Sequence, residues 1–248
     1  MNFKRLQWFE LLAVRKRPMV PIMMYHHIAE PPAGSPLSEI YTDPLDFEMQ
    51  LQTYRRLGFE SVGMNTLKLE SLPRRPIVLT FDDAYENFYT TAWPLLRKYG
   101  FGATLFVVAN QIGGVNVWDA SLGGREERLM DREQLLDCSG AGIEVGAHTC
   151  NHVHLQSCDT ESASEEITGS KSVLEQVLGK EVDTFCYPYG GFTAETIRLT
   201  QAAGYKAACT TDPGMNTPFT DPYTLRRINC RYRSRTPLVV AKWVAMRS

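Results

Sequence analysis

The sequence predicts an α/β fold in which about seven or eight parallel strands suit a closed barrel. The run from Ile77 to Phe81 is apolar or β-favouring throughout, as in a strand buried within a parallel sheet. Strand-like and helix-like segments alternate along the 248 residues without a linker or a change of composition. Such alternation favours right-handed βαβ units. A doubly wound open sheet has the same alternation and remains an alternative.

Each predicted strand is a short apolar run, and the predicted helices are bounded by capping and stop residues. Asp43 offers an N-cap, Pro44 occupies the first helical position, and Gly58 follows the last apolar residue. Gly100 and Gly179 end two later helices in the same way. The predicted strands are 19–25, 59–62, 77–81, 103–109, 143–147, 185–187, 205–210 and 225–230, and the predicted helices are 44–57, 92–99, 131–138, 161–178, 193–203 and a last one from 236.

Length and charge indicate one globular domain, residues 1–248, with residues 1–18 as an N-terminal amphipathic extension. The formal net charge of -2 argues against a nucleic-acid surface. No apolar run is long enough to span a membrane, although peripheral membrane contact through residues 1–17 is an alternative to packing on the domain. The N-terminus is a poor signal peptide, so the sequence by itself favours a cytoplasmic location.

The six cysteines are predicted to be free thiols. None forms a Cys-x-x-Cys pair, and several lie within apolar, strand-like runs. This distribution is unlike the disulfide framework of a short secreted chain, and it favours a reducing compartment.

Two adjacent carboxylates, Asp82 and Asp83, follow the buried strand 77–81. Neighbouring residues of a strand point to opposite sides, so the two acids require different roles. At the carboxyl end of a parallel strand such a pair is typical of a catalytic site. The alternative is an N-cap for the next helix.

His148 ends another predicted strand, and His152 follows it within one helical turn. Two imidazoles and one carboxylate, Asp83, are a sufficient protein shell for a catalytic divalent metal with open positions for water and substrate. The sequence therefore predicts a metal site at the strand ends. His154 is interpreted as a neighbour of this site rather than a ligand.

Three segments, in order, resemble the motifs of the polysaccharide deacetylase family, the NodB-homology group of carbohydrate esterase family 4. They are Thr80-Phe81-Asp82-Asp83, His148-Thr-Cys-Asn-His152 and Phe185-Cys-Tyr-Pro-Tyr-Gly190, and the resemblance covers roughly 21–230. It implies a distorted (β/α) barrel that removes N-acetyl groups from an N-acetylhexosamine-containing polysaccharide or glycan. It also implies a divalent metal, usually zinc, with cobalt, nickel or iron as alternatives.

Residue by residue, the resemblance assigns metal ligation to Asp83, His148 and His152. It assigns Asp82 the role of general base for the attacking water. The backbone N–H of Tyr189 would stabilise the oxyanion.

Two departures from the family pattern lead to further expectations. The arginine that usually orients the base in the third motif is replaced by Cys186, and Arg227 on the last strand could reach the same carboxylate. The usual C-terminal Leu-x-x-His is absent. The early Tyr25-His26-His27 resembles the circularly permuted poly-N-acetylglucosamine deacetylases, which makes His26 the general acid and His27 its alternative. Asp212 is a candidate to orient that acid.

Aromatic residues near the motifs are candidates for sugar contacts. Trp118, Tyr85, Tyr187 and Pro188 are the expected substrate-binding residues, and packing is the alternative role for aromatic rings in such loops. Three other functions remain open: a catalytically degenerate barrel that binds glycans, an amidohydrolase acting on small cyclic amides, and a non-haem iron enzyme using the two histidines and one carboxylate.

Overall fold

The structure is a computed structural model that describes residues 19–67, 72–217 and 219–247. The predicted extension 1–18, with its possible membrane contact, lies outside the described residues. The strands are β1 (Ile22–Tyr25), β2 (His27–Ile28), β3 (Tyr41–Thr42), β4 (Glu60–Ser61), β5 (Pro76–Phe81), β6 (Thr104–Val107), β7 (Glu144–Ala147), β8 (Thr184–Cys186), β9 (Ala207–Pro213) and β10 (Leu225–Asn229). The α-helices are α1 (Pro44–Arg56), α2 (Trp93–Tyr99), α3 (Arg132–Gly140), α4 (Thr160–Leu178), α5 (Ala194–Ala202) and α6 (Thr236–Arg247).

Seven parallel strands close into a barrel in the order β1-β10-β9-β8-β7-β6-β5. Closure comes from β1, which pairs with β10 on one side and with β5 on the other. The barrel prediction is therefore confirmed, and the open-sheet alternative is wrong. The barrel is distorted because β5 pairs with β4 through Pro76 and Ile77 but with β6 only through Thr80 and Phe81.

Local signals explain where the helices begin and end. Asp43 caps α1 through hydrogen bonds from the N–H groups of Leu45 and Asp46, with Pro44 at the first helical position. Asp131 and Gln134 form a capping box at the start of α3. Gly179 ends α4 in a left-handed conformation with φ 66°. These boundaries agree with the sequence prediction to within one or two residues.

The apolar core has two parts, one inside the barrel and one between the barrel and its helices. The inner part includes Ile22, Val78, Phe106, Cys186 and Cys209. The outer part includes one face of each strand and the inward faces of the helices, because parallel strands under a helical layer are buried on both sides.

All six cysteines are free, as predicted. Within the described residues no helix combines the length and the apolar character that crossing a membrane requires.

Glu144 is the first residue of β7 and lies at the end of the barrel opposite the carboxyl termini of the strands. Its carboxylate accepts hydrogen bonds from the Thr184 hydroxyl at 2.8 Å, the Thr104 hydroxyl at 3.1 Å and the Asn65 N–H at 3.3 Å. Burial raises the pKa of Glu144 above its ordinary value, against the opposing effect of these hydrogen bonds. A Cβ at Gly63 would collide with Glu144 Oε2, so a larger residue there would require the carboxylate to move.

We expect Glu144→Ala to lower the free energy of unfolding by about 2 kcal/mol, because it leaves two hydroxyls and an N–H without their acceptor. Urea unfolding measures the change. Glu181→Ala is the control, since its side chain is 81% exposed, and it should change stability by less than about 0.5 kcal/mol. Equal stability of the two variants would show that the hydrogen bonds to Glu144 do not stabilise the fold.

Candidate active site

The carboxyl-terminal edge of the barrel collects the side chains that the sequence singled out. Asp82 and Asp83 follow β5, His148 follows β7, Cys186 ends β8 and Arg227 lies in β10. All five are buried. Parallel strands end at the same edge, so residues far apart in sequence meet here.

Asp82 forms a two-pronged ion pair with Arg227. The Nη1 and Nη2 atoms of Arg227 lie 2.7 Å from Oδ1 and 2.7 Å from Oδ2 of Asp82, respectively. The same guanidinium donates from Nε to the Thr210 carbonyl at 2.7 Å and from Nη1 to the Thr80 hydroxyl at 3.1 Å. Burial would raise the pKa of Asp82, but the charge and hydrogen bonds of Arg227 outweigh burial and hold it below its ordinary value. The carboxylate is therefore ionised and fixed in orientation at neutral pH.

Asp83, His148 and His152 form a compact set of candidate metal ligands. Asp83 Oδ1 lies 3.4 Å from His148 Nε2 and 3.2 Å from His152 Nε2. The Nδ1 atom of His148 is 2.7 Å from the Cys186 carbonyl oxygen. A carbonyl oxygen only accepts, so we assign the proton to Nδ1, which leaves the Nε2 lone pair facing Asp83.

The donor set fits a divalent metal. One ligand atom from each of Asp83, His148 and His152 lies within 4.8 Å of the others, and these nitrogen and oxygen donors suit zinc as well as other divalent ions. Asp83 Oδ1 is buried without a hydrogen-bond donor among the described residues, as expected for an atom that holds a cation. A second set, Asp82, His148 and Cys186, is equally compact. Arg227 Nη2 lies 3.1 Å from the Cys186 sulfur, and this permanent cation disfavours a metal there.

Backbone strain is concentrated around these ligands. Of the six non-glycine residues with positive φ among the described residues, five surround the site: Asp83, Ala84, Thr149, His152 and Tyr189, with φ from 56° to 72°. Left-handed conformations are unfavourable for residues with a Cβ and persist only where the surroundings enforce them. The ligand positions therefore depend on the contacts around these turns.

His26 and His27 have different surroundings. His26 Nε2 lies 3.7 Å from Asp82 Oδ2, and its side chain is 17% exposed. His27 is fully buried between the rings of Tyr41 and Tyr85, with centroid distances of 4.2 and 3.5 Å. Burial, and then the neighbouring charge of His26, lowers the pKa of His27 to about 3. Of the two histidines, His26 is the one within reach of the carboxylate and of solvent.

Aromatic rings form one wall of the site. Trp118 stacks on His152 at a centroid distance of 4.4 Å, and Tyr189 meets His152 edge-on at 4.7 Å. The Tyr189 hydroxyl is 3.2 Å from His152 Nδ1, and His154 stacks on Tyr189 at 3.7 Å. Trp118 is half-buried and Tyr189 is exposed, so both border the opening of the site.

The chain resembles known proteins in sequence and in fold. The family model described as Polysaccharide deacetylase matches residues 70–208, more than half of the chain. The chain belongs to the polysaccharide deacetylase family. It is 25% identical over 222 residues to the protein YxkH of Bacillus subtilis, covering 88% of this chain and 73% of that protein. It is 27% identical over 166 residues to the poly-beta-1,6-N-acetyl-D-glucosamine N-deacetylase of Staphylococcus epidermidis, covering 63% of this chain and only 55% of that protein.

Solved structures of deacetylases share the fold. The chain superposes on the Streptococcus pyogenes deacetylase PplD, solved in complex with acetate, with a TM-score of 0.78 and 24% identity over 91% of this chain and 98% of that one. It superposes on IcaB from Ammonifex degensii with a TM-score of 0.79 and 23% identity over 92% and 97%. At these identities the likeness establishes the fold alone.

Arg227 reaches the Asp82 carboxylate, as predicted from the sequence. Cys186, at the position where the third motif usually has an arginine, lies 3.7 Å from Asp82 Oδ2. The guanidinium thus arrives from β10 instead of β8, and the smaller thiol leaves room for it.

Three of the four expected substrate contacts are buried: Tyr85, Tyr187 and Pro188. Their role in binding a sugar stays a prediction. The Tyr85 hydroxyl donates to Asp119 at 2.8 Å, and the Tyr187 ring packs against Phe185 and Phe192. Trp118 is half-buried and stacks on His152, so it is the most accessible of the four.

Asp212 is exposed at the end of β9. Among the described residues no hydrogen bond or ion pair joins it to His26, so the expectation that it orients this histidine finds no contact to support it.

Two carboxylates near the site escaped sequence reasoning. Asp119 is buried beside Trp118 and accepts from Tyr85 and from Asn116 Nδ2 at 2.7 Å. Burial raises the pKa of Asp119 above its ordinary value. Glu166 contacts the loop between His148 and His152. Asp119 lies in a short 3-10 helix, Val117–Leu122, and Glu166 lies within α4, without a motif or a periodic position to mark them.

We expect Arg227→Met to lower the free energy of unfolding by about 3 kcal/mol or more, because it leaves Asp82 as a buried, unpaired charge. The double variant Asp82→Asn/Arg227→Met should recover much of this loss, because neither charge then remains. Chemical unfolding compares the two variants. Cys186→Ala is the control, because it changes a neighbour of the ion pair and keeps both charges. A double variant no more stable than Arg227→Met would show that the charge pair is not the origin of the loss.

Proposed function

We propose that the protein is a metal-dependent N-deacetylase that removes acetyl groups from an N-acetylhexosamine-containing glycan. The observation that carries this proposal is the pairing of Asp82 with Arg227 directly beside the Asp83, His148 and His152 set. A site that only bound metal would not require a second, oriented and ionised carboxylate at this position. Family membership and the Staphylococcus epidermidis relative's stated activity support the same reaction.

The two adjacent acids have separate roles in this proposal. Asp83, with His148 and His152, would hold the metal. A divalent ion, when bound, supplies Lewis-acid activation of the water and of the acetyl carbonyl. Asp82 would accept the proton of the attacking water, and Arg227 keeps this carboxylate ionised and fixed so that it can do so.

The remaining residues would act on the other atoms of the amide. The N–H of Tyr189 would stabilise the negative charge that develops on the carbonyl oxygen. His26, 3.7 Å from Asp82, would donate a proton to the departing nitrogen, because an amine leaves only when protonated. Trp118 would pack against the sugar at the opening of the site. We propose that these residues belong to one catalytic domain.

We expect metal-stripped protein to release acetate from N-acetylglucosamine oligomers only after zinc or cobalt is restored. Asp82→Asn should lower the rate by about 10²- to 10⁴-fold, because the amide cannot accept the proton, while metal content stays unchanged. Acetate is measured enzymatically and metal by elemental analysis.

The same preparations are assayed with iron and an oxidant, with small cyclic amides, and for glycan binding, and three results would contradict the proposal. Tight glycan binding without acetate release would favour the degenerate binding barrel. Activity that required iron and an oxidant would favour the non-haem iron alternative. Hydrolysis of small cyclic amides alone would favour the amidohydrolase.

A second prediction concerns the general acid. We expect His26→Ala to lower acetate release by about 10²-fold or more, because the leaving nitrogen loses its proton donor. Zinc content should equal that of the wild type, because His26 is not among the candidate ligands. Near-normal turnover in His26→Ala would show that another group supplies the proton.

A further inference from the structure

The loop from His148 to His152 carries both histidines of the candidate metal set in a strained backbone. Thr149 has φ 63° and His152 has φ 58°. Each such residue costs about 1–3 kcal/mol unless its surroundings compensate. The two imidazoles can face Asp83 together only while this loop keeps its conformation.

One side of the loop is tied to the segment that follows β6. The N–H groups of Ala109 and Asn110 donate to the carbonyl oxygens of Thr149 and Cys150, both at 3.0 Å. Within the loop, the N–H of His152 donates to the Thr149 hydroxyl at 2.9 Å. These bonds pair two carbonyl groups and the N–H of His152. They do not pair the N–H groups of Cys150 and Asn151 at the tip of the loop.

Glu166 of α4 supplies the acceptors for that tip. Its Oε2 accepts from the N–H groups of Cys150 and Asn151, both at 2.9 Å, and its Oε1 accepts from Asn151 Nδ2 at 2.6 Å. No ion pair involves Glu166 among the described residues. Both carboxylate oxygens are thus committed to the loop.

The approach of α4 to the loop is close. A Cβ at Gly169 would lie 2.9 Å from the Cys150 sulfur, which is tighter than real contacts. A glycine within a helix costs about 1 kcal/mol relative to alanine. Its presence here is explained by the space that the loop occupies next to Glu166.

We propose that Glu166 is a positioning residue for the metal site, holding the loop so that His148 and His152 present their Nε2 atoms to the same ion. Glu166 touches neither the candidate ligands nor the reacting groups, and it acts only through the backbone of Cys150 and Asn151. This inference rests on the metal site of the proposed function, but it does not depend on which substrate the enzyme hydrolyses.

A carboxylate is needed at this position because the loop offers only donors to it. Asn151 Oδ1 already accepts from Asn110 Nδ2 at 3.0 Å, which fixes the Asn151 amide with its nitrogen towards Glu166. In Glu166→Gln the new amide could accept the two N–H groups with its oxygen, but its nitrogen would then face Asn151 Nδ2, donor against donor. The variant preserves size and removes one acceptor.

The test measures zinc affinity of the full chain by competition with a chromogenic chelator. We expect Glu166→Gln to bind zinc about 10- to 100-fold more weakly than the wild type, the range for loss of groups that orient metal ligands. Glu165→Gln is the matched control, because Glu165 is the exposed neighbour on the same helix. It should bind zinc like the wild type.

The melting temperature with and without zinc separates positioning from general stability. We expect metal-free Glu166→Gln to keep the wild-type far-UV circular dichroism, and zinc to raise its melting temperature less than that of the wild type. Unchanged zinc affinity, with equal losses of stability in both states, would overturn the inference. If Glu166→Gln bound zinc more weakly than the wild type but the wild type released no acetate, the proposed function would fail and the positioning role would stand.

Discussion

A fully buried guanidinium lies at the centre of the candidate site. Arg227 occupies the interior of the barrel, where an unpaired cation would be costly, and it is stable there because Asp82 takes two of its hydrogen bonds. The dependence is mutual, since Asp82 is equally enclosed. The pair joins β10 to the end of β5 across the barrel, so the fold and the ionisation of Asp82 are coupled.

Barrel closure is the second constraint. β1 pairs with both β5 and β10, which brings an N-terminal histidine beside a carboxylate from the middle of the chain and an arginine from its end. The sequence lacks the C-terminal Leu-x-x-His, but barrel closure still places a histidine, His26, beside Asp82. In a closed barrel the location of a side chain depends on which strand carries it and how far along that strand it lies, not on its position in the sequence.

The turns after the strands show how exact placement is maintained. Asp83, Thr149, His152 and Tyr189 all adopt left-handed backbone conformations. Neighbouring segments donate hydrogen bonds to these turns, from the Met130 N–H to the Ala84 carbonyl, from the Ala109 N–H to the Thr149 carbonyl and from the Thr211 hydroxyl to the Tyr189 carbonyl. Strain at these positions is offset by contacts made elsewhere, such as those of Glu166. The geometry of the candidate site therefore depends on residues that lie outside it.

Sequence alone determined the barrel strands, the helices, their order and the residue types at the strand ends, but not the short strands β2 and β3. Apolar runs, capping residues and stop glycines are local signals, and the Asp82-Asp83 pair and the His148 and His152 spacing are written in short motifs. Tertiary structure decided which groups meet. It closed the sheet, separated His26 from the enclosed His27, brought Arg227 to Asp82, and buried Tyr85 and Tyr187, because burial and pairing depend on contacts between segments distant in sequence. The positions of Asp119 and Glu166 follow from the same long-range packing, for which a single sequence carries no local signal.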